Sequence, residues 1–242
     1  MKSARERGRF LDKRLSCEGP ASMSSASIYD RLATLIASVR TDHPVRVAVD
    51  GIDAAGKTTM ANALVQPLSL LGREVIRASI DGFHRPRRLR YMRGKDSPAG
   101  YYYDSFNHEA VILYLLQPLG PAGDRLYRTS AFDHLTDTEL TSDKSAASEN
   151  AVLVFDGVFL LRPELNPYWD FRIFIDVSIE VAKERAVRRD CKWMGGETEA
   201  RRRYEMRYYA GQRIYIDKCD PLNLADVVVG NDDPMAPILI VR

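Results

Sequence analysis

A glycine-rich stretch with one lysine and two threonines has the residue types and spacing best suited to chemistry in this chain. Residues Gly51–Thr59 read GIDAAGKTT and match the pattern GxxxxGKS/T in full. Backbone N–H groups of such a loop, placed at the start of a helix, surround phosphate oxygens. We expect Lys57 to reach the β- and γ-phosphates and the Thr58 hydroxyl to bind Mg²⁺. The predicted ATP contacts from this loop are Gly51, Asp53, Ala54, Ala55, Gly56, Lys57, Thr58 and Thr59.

Two aspartates follow strand-like segments and could complete the chemistry. Asp81 comes at the end of EVIRASI, where ligands bind in parallel sheets, and could accept the proton of an attacking hydroxyl. An ordinary Asp-Gly turn is the alternative reading. Asp156 follows four apolar residues, a pattern whose carboxylate holds Mg²⁺, although a turn aspartate after a buried strand would look the same.

Arginines supply the cations that phosphoryl transfer requires. Arg185, Arg188 and Arg189 are spaced i, i+3 and i+4 on one predicted helix face, and we expect all three near ATP, with Arg189 catalytic. A solvated helix face is the alternative.

A second basic run follows Asp81, and it contains Arg85, Arg87, Arg88, Arg90, Arg93 and Lys95. These side chains could be solvated, hold nucleotide phosphates, or bind an acceptor that already carries a phosphate. The nearby tyrosines are more easily explained as walls of a site than as stacking partners for nucleic acid, so no nucleic-acid partner is expected.

Composition narrows the class of protein. The chain has 242 residues, of which 45% are hydrophobic and 28% charged, with a net charge of +2, as in an ordinary globular protein. No apolar run approaches the ~20 residues that cross a bilayer, so no membrane partner is expected. Three cysteines without a CxxC pair indicate neither a disulfide framework nor a zinc site, and favour a cytoplasmic location. A homo-oligomer is compatible with the sequence.

The elements that must position these residues alternate between strands and helices. Predicted strands are Val45–Asp50, Glu74–Ile80, Ala151–Phe155, Phe171–Val177 and Ala225–Val229. Predicted helices are Lys57–Leu71, which Pro67 kinks or shortens, Asn107–Leu116, Ile179–Asp190 and Glu197–Ile214. Strands that are apolar on both faces indicate a parallel sheet covered on two sides. The polar stretch Thr136–Asn150 is a loop or a small hairpin.

One α/β domain over residues 25–242 accounts for this alternation. Residues 1–24 form a basic segment without apolar periodicity, which predicts a disordered extension, with a basic anchor for an anionic partner as the alternative.

At its motifs the chain resembles the uridine kinase family, within the wider group of phosphoribulokinases and bacterial pantothenate kinases. The sequence Asp81-Gly82-Phe83-His84 resembles the family's second-strand motif, which implies that Asp81 is the base and that Phe83 and His84 contact the acceptor. The resemblance runs from about Val45 to Val229. It implies a three-layer α/β/α P-loop nucleoside triphosphate hydrolase fold with a parallel sheet, a small β-hairpin and a helical lid.

A gapless comparison extends the resemblance downstream. Tyr103-Asp104 falls on an FD pair whose aspartate holds ribose hydroxyls, and Phe132-Asp133 falls on a Tyr-Asp pair that contacts a pyrimidine. Arg189-Asp190 matches the lid motif, which implies that Cys191–Thr198 is mobile. Phe132 replaces a tyrosine, and His134 is shifted from the family's histidine.

The sequence therefore predicts a kinase that moves the γ-phosphoryl of ATP to a hydroxyl of a small acceptor. By the resemblance a nucleoside is expected, uridine or cytidine first. The predicted acceptor contacts are Asp81, Phe83, His84, Asp104 and Phe132, and the predicted Mg²⁺ ligands are Thr58 and Asp156. Two alternatives stay open: a kinase of a sugar phosphate or a pantothenate-like acceptor, and a regulatory protein that binds ATP without transferring a phosphoryl group.

Overall fold

The computed structural model describes residues 27–141 and 143–241, and within them a six-stranded sheet forms the centre of the fold. The described strands, in chain order, are β1 (Val45–Gly51), β2 (Val75–Ser79), β3 (Leu126–Tyr127), β4 (Phe132–Asp133), β5 (Thr138–Glu139), β6 (Ser145–Ala146), β7 (Val152–Asp156), β8 (Phe171–Asp176), β9 (Val227–Gly230) and β10 (Ile238–Val241). The sheet order is β10-β9-β8-β1-β7-β2, and only β10 runs antiparallel to its neighbour.

Helices cover both faces of this sheet. The α-helices of the described chain are α1 (Ile28–Ser38), α2 (Lys57–Ala63), α3 (Val65–Leu70), α4 (Arg87–Arg90), α5 (Pro98–Asp104), α6 (His108–Val111), α7 (Ile179–Met194), α8 (Glu197–Arg203), α9 (Ala210–Cys219) and α10 (Pro221–Leu224). Two π-helical segments, Ile112–Leu116 and Tyr204–Tyr209, continue α6 and α8, and 3₁₀ turns cover Ile80–Phe83 and Asn166–Tyr168.

Alternate residues of the central strands enter separate cores. In the fully buried β1, the side chains of Val45, Val47 and Val49 pack under α1, α2, α3 and α7, whereas Ala48 faces the core beneath α5, α6 and α9. This two-sided burial explains the continuous apolar runs of the central strands. The three-layer α/β/α fold predicted from the sequence is confirmed.

Several element boundaries differ from those predicted. The helix expected over Lys57–Leu71 is divided at Leu64, three residues before Pro67. The helix expected to end at Asp190 continues to Met194, and α8 begins at Glu197, so six of the eight residues predicted to be mobile are helical. The polar stretch forms small two-stranded ribbons, β3 with β6 and β4 with β5. Helix α5 and strand β10 were not predicted, and the predicted disordered extension, residues 1–24, lies outside the described residues.

The topology brings the chemical residues to one edge. Strands β1, β7 and β2 are parallel neighbours, and Val49, Asp156 and Ser79 lie at matching positions near their carboxyl ends. The glycine-rich loop, Asp156 and Asp81 therefore converge at the edge where parallel sheets bind ligands. None of the described helices is long and apolar enough to cross a membrane.

Candidate active site

Gly51 and Gly56 let the loop turn from β1 into α2. Their φ angles are +150° and +101°, which residues with side chains rarely adopt. A Cβ at Gly51 would lie 2.6 Å from the carbonyl oxygen of Ile175, and one at Gly56 would lie 2.6 Å from the Asn231 amide nitrogen. The same Asn231 nitrogen donates to the Ala55 carbonyl at 2.7 Å. The loop is therefore held closely between β8 and the residue that follows β9.

A cavity of about 330 Å³ lies against the loop. Its lining includes Ala54, Gly56, Lys57, Thr58, Thr59, Arg185 and Arg189, seven of the residues predicted from the sequence to act on ATP. Its volume falls within the range of small-molecule sites. Gly51, Asp53, Ala55 and Arg188, also predicted to contact ATP, do not line this cavity.

Lys57 lies at the centre of the charged groups. Its Nζ donates to the Ile52 carbonyl oxygen at 2.7 Å. Burial lowers the pKa of Lys57, while the charges of Asp53, Asp50, Asp81 and Asp156 oppose that change. The ammonium therefore lies within electrostatic range of four carboxylates, including Asp81.

Thr58 and Asp156 fit the predicted magnesium site. The Thr58 hydroxyl donates to Asp156 Oδ2 at 2.6 Å, and Arg77 NH2 donates to Asp156 Oδ1 at 2.7 Å. No cluster of three or more acidic, histidine or cysteine side chains suited to a metal occurs in residues 27–141 and 143–241. A hydroxyl, one carboxylate, water and nucleotide phosphates are the oxygen ligands that Mg²⁺ commonly takes, so these residues fit an ion that arrives with the nucleotide.

Asp81 faces solvent beside two histidines. Its carboxylate is 68% exposed, and its Oδ1 lies 3.6 Å from His84 Nε2. The His84 Nδ1 lies 3.2 Å from the Ser105 carbonyl oxygen, and the rings of His84 and His134 have centroids 4.8 Å apart. Partial burial acts to raise the pKa of Asp81, but His84, His134 and Lys57 outweigh it, so this pKa lies below its usual value. Asp81 is thus an ionised, accessible base.

The small ribbon β4–β5 is held against the Asp81 turn. Ala131 N donates to the Gly82 carbonyl at 2.8 Å, and a Cβ at Gly82 would lie 2.9 Å from the Ser130 Cβ. This contact brings His134 to Asp81, although the gapless comparison places it out of register with the family's histidine. Phe132 lies on the same ribbon and is 5% exposed.

Two other residues predicted to contact the acceptor, Asp104 and Phe83, are buried. Asp104 is 8% exposed, and its Oδ2 accepts a hydrogen bond from Arg93 Nε at 2.7 Å. Phe83 is wholly buried, and its ring centroid lies 6.2 Å from that of Phe155. The prediction that Phe83 contacts the acceptor is therefore corrected: its side chain is part of the core beneath the Asp81 turn.

The three arginines of α7 have different partners. Arg185 donates to the main-chain carbonyls of Asn231 and Asp232, at 2.9 and 2.8 Å, and so ties α7 to the segment after β9. Arg189 makes a two-pronged ion pair with Asp190, at 2.8 and 2.9 Å, beside the cavity. Arg188 lies instead in a shallow depression on the helix exterior with Glu184. Its predicted contact with ATP is not supported by this position.

The basic run does not form one anion site. Arg90 pairs with Asp137 at 3.2 Å and Arg93 pairs with Asp104, so these two charges are already balanced. The side chains of the run that have no ion pair within the described ranges are Arg85, Arg87, Arg88 and Lys95.

Sequence reasoning missed Arg77, Gln212 and Asn231 at this edge, and it predicted Tyr101 only as part of a wall of the site. Arg77 had a local signal, a cation inside an otherwise apolar strand. Tyr101, Gln212 and Asn231 lie on a short helix, on a long helix and after a strand, and their contacts with the loop span 48, 159 and 176 residues of sequence. No local pattern reports such contacts.

Comparison with known proteins identifies the family. The profile of the "Phosphoribulokinase / Uridine kinase family" matches residues 46–229. The chain belongs to this family. It is therefore a P-loop kinase, and this family generally uses ATP with Mg²⁺. No curated protein matches the chain.

Solved structures agree on the fold. A possible uridine kinase from Bacillus stearothermophilus is 26% identical, with a TM-score of 0.64 over 83% of this chain and 96% of that one. A candidate fructose transport system kinase from Silicibacter sp. TM1040 is 23% identical, with a TM-score of 0.64 over 79% and 95% of the two chains. A D-glycerate 3-kinase from Cryptococcus neoformans is 12% identical, with a TM-score of 0.57 over 89% and 100%. The last two show similarity of fold alone.

Proposed function

We propose that this P-loop kinase transfers the γ-phosphoryl of ATP to a hydroxyl of a nucleoside, with uridine and cytidine as the first candidates. The observation that carries the proposal is the position of Asp81, an exposed carboxylate at the ligand-binding edge, within electrostatic range of Lys57, which lines the phosphate cavity.

The lowered pKa keeps Asp81 ionised at neutral pH, as a general base must be. Because the carboxylate is ionised at neutral pH, it can take the proton of the acceptor hydroxyl as that oxygen attacks the γ-phosphorus. The new O–P bond forms while the bond between the γ-phosphorus and the bridging oxygen breaks, and ADP leaves. Mg²⁺, when bound beside Thr58 and Asp156, neutralises phosphate charge. Lys57 and Arg189 line the cavity and contribute further positive charge to the transferring group.

Asp104 supports a ribose acceptor. Its carboxylate is largely buried, and the Arg93 guanidinium lies against one of its oxygens. A vicinal diol can donate to a carboxylate while it accepts from an arginine, so this pair suits a sugar without a phosphate group. The similarity to a possible uridine kinase favours the same acceptor class.

A phosphorylated sugar is the second candidate. Arg87 and Arg88 are exposed on α4 and have no ion pair in the described part of the chain, so they could hold an anionic group. Under this alternative Arg87→Ala with Arg88→Ala should raise the KM for that acceptor sharply.

One acceptor screen tests these proposals. ADP release is measured with uridine, cytidine, their 2′-deoxy forms, pantothenate and sugar phosphates, for the wild type, Asp104→Ala and the double arginine variant. The nucleoside proposal expects a ribonucleoside to be used far better than its deoxy form, by up to ~10⁴–10⁵-fold when a site is built around that hydroxyl. Asp104→Ala should erase most of this difference.

Other results contradict the proposal in distinguishable ways. Use of a sugar phosphate alone would favour the second candidate. Binding of ATP without a phosphorylated product from any acceptor would favour a regulatory protein.

A further inference from the structure

The phosphate-binding loop contains a carboxylate that the proposed mechanism does not use. Asp53 Oδ2 accepts two hydrogen bonds, from the Tyr101 hydroxyl at 2.9 Å and from Gln212 Nε2 at 2.7 Å. Tyr101 is 6% exposed and Gln212 is 2% exposed, so both donors are fixed by burial. This group of three residues joins the loop to helices α5 and α9.

Close packing of these helices keeps the two donors in place. Gly211, next to Gln212, lies against α5 so tightly that a Cβ there would be 2.9 Å from both the Pro98 carbonyl oxygen and the Tyr101 ring. Tyr101 also packs edge-on against Phe159, with ring centroids 5.0 Å apart. The geometry around Asp53 is therefore built by the core and does not depend on exposed side chains.

The position of Asp53 indicates the acceptor side of the site. Asp53 belongs to the loop, but it does not line the phosphate cavity. The charges of Lys57, Arg189 and Asp81 all act on it, and Asp81 also acts on its partner Tyr101. Asp53 is thus within electrostatic range of Lys57, Arg189 and the proposed base.

Two hydrogen-bond acceptors in this group are without donors. Asp53 Oδ1 has no hydrogen bond among the described residues, and it is absent from the fully buried atoms that lack a partner, so it retains access to solvent. Gln212 Oε1 is buried and has no partner. Buried polar atoms normally have partners, and an unpaired one is commonly satisfied by a ligand or a water. Carboxylate and amide oxygens accept hydrogen bonds from hydroxyl groups and repel phosphate.

We propose that Asp53 binds a hydroxyl of the acceptor and that Tyr101 and Gln212 are the positioning residues that hold its carboxylate. The inference rests on the proposed function and deepens it: the acceptor presents an uncharged, hydroxyl-bearing group to the loop, and Asp53 contributes to its selection. This proposal replaces the predicted contact of Asp53 with ATP by a contact with the acceptor.

Three variants test the proposal against a purely structural role. Asp53→Asn keeps the shape and removes the charge, and Tyr101→Phe removes one hydrogen bond to Asp53. Tyr215→Phe is the matched control, because the buried Tyr215 hydroxyl donates to a different carboxylate near the loop, the buried Asp50. KM and kcat are measured with the best acceptor of the screen, ATP affinity by calorimetric titration without acceptor, and Tm for all proteins.

The expected pattern separates acceptor binding from folding. Asp53→Asn should raise the acceptor KM about 10- to 100-fold, the range of a hydrogen bond to a charged group, and leave ATP affinity within about threefold. Tyr101→Phe should raise the same KM by a smaller factor. Tyr215→Phe should lower Tm by about as much as Tyr101→Phe does, and it should leave the acceptor KM unchanged.

Three results would overturn the proposal. If the acceptor KM is unchanged in Asp53→Asn while the wild type is active, Asp53 does not contact the acceptor. The proposed kinase function would still stand. A tenfold loss of ATP affinity in Asp53→Asn would place the residue in the nucleotide site. A wild type that phosphorylates no acceptor overturns the proposed function, and the inference falls with it.

Discussion

Replacing Arg77 by methionine tests how the magnesium-site carboxylate is held. Arg77 lies on β2, and its guanidinium donates to Asp156 Oδ1 at 2.7 Å and to the Asn62 side chain at 3.2 Å. Asp156 is 3% exposed as a side chain, whereas Arg77 is 23% exposed. Methionine keeps the aliphatic part of the side chain and leaves Asp156 with Thr58 as its remaining side-chain partner.

The magnitude follows from this burial. Breaking a buried ion pair costs about 3–5 kcal/mol, because the remaining charge has lost its compensation. Solvent reaches part of the Arg77 side chain and screens the pair, so we expect the free energy of unfolding to fall by about 2–4 kcal/mol. A divalent cation that binds beside Asp156 should replace part of the missing charge. Mg²⁺ with ADP should therefore stabilise Arg77→Met more than it stabilises the wild type.

Arg46 provides a matched control. It lies near the start of β1 and forms an ion pair with Asp170 at 2.9 Å, with side chains 6% and 14% exposed. Arg46→Met should lower the free energy of unfolding by a similar amount, but Mg²⁺ with ADP should stabilise it no more than the wild type. Urea unfolding of the three proteins, with and without the nucleotide and ion, measures both effects. A loss below about 0.5 kcal/mol in Arg77→Met, or equal stabilisation of both variants by Mg²⁺ and ADP, would refute the reasoning.

Three further results are expected. Lys57→Ala should lower kcat by roughly 10²–10³-fold through loss of a charge on the transferring phosphoryl, and a rate within about tenfold of wild type at saturating ATP would contradict this. Asp81→Asn should lower kcat by roughly 10²–10⁴-fold with ATP affinity nearly unchanged, whereas lost ATP affinity with a normal rate per bound enzyme would make Asp81 a metal or structural residue. Burial raises the pKa of Asp50 to about 6, so the folded protein keeps a proton that the unfolded chain releases, and stability falls as pH rises from about 4 to about 6. Asp50→Asn should remove about 3 kcal/mol of that decline in urea unfolding between about pH 4 and pH 7, and an unchanged slope would contradict the assignment.

The parts of the fold that sequence could predict are those with local signals. The strand Val45–Gly51 is apolar throughout and ends at the glycine that begins the loop, so its position was predicted to within one residue. The helix predicted from Asn107 begins at His108, and the Asn107 side chain caps it by accepting a hydrogen bond from Ala110 N. Strand Ile238–Val241 was not predicted, because a run of four apolar residues is too short to indicate a strand by itself.

The main feature of the site that the sequence could not predict is which charged side chains form ion pairs. The basic run after Asp81 has the composition of an anion site, yet Arg90 and Arg93 have partners 47 and 11 residues away. Arg188 has the helical spacing of a cavity residue, but helix α7 directs it outward. Sequence spacing therefore located the helix face approximately, and the packing angle of the helix decided which arginine reaches the cavity.

The charge balance at Lys57 sets a condition on nucleotide binding. Four carboxylates already act on this ammonium, and a bound triphosphate adds more negative charge beside them. Arg189 also lines the cavity and could balance the charge of the phosphates. Its guanidinium is, however, held by two hydrogen bonds to Asp190. Asp190 also accepts a hydrogen bond from the buried Tyr204 hydroxyl, so it keeps a partner when Arg189 turns toward phosphate. Leaving a buried carboxylate without any donor would cost on the order of 3–5 kcal/mol of stability. The hydrogen bond from Tyr204 therefore lowers the free-energy cost of releasing Arg189 from Asp190.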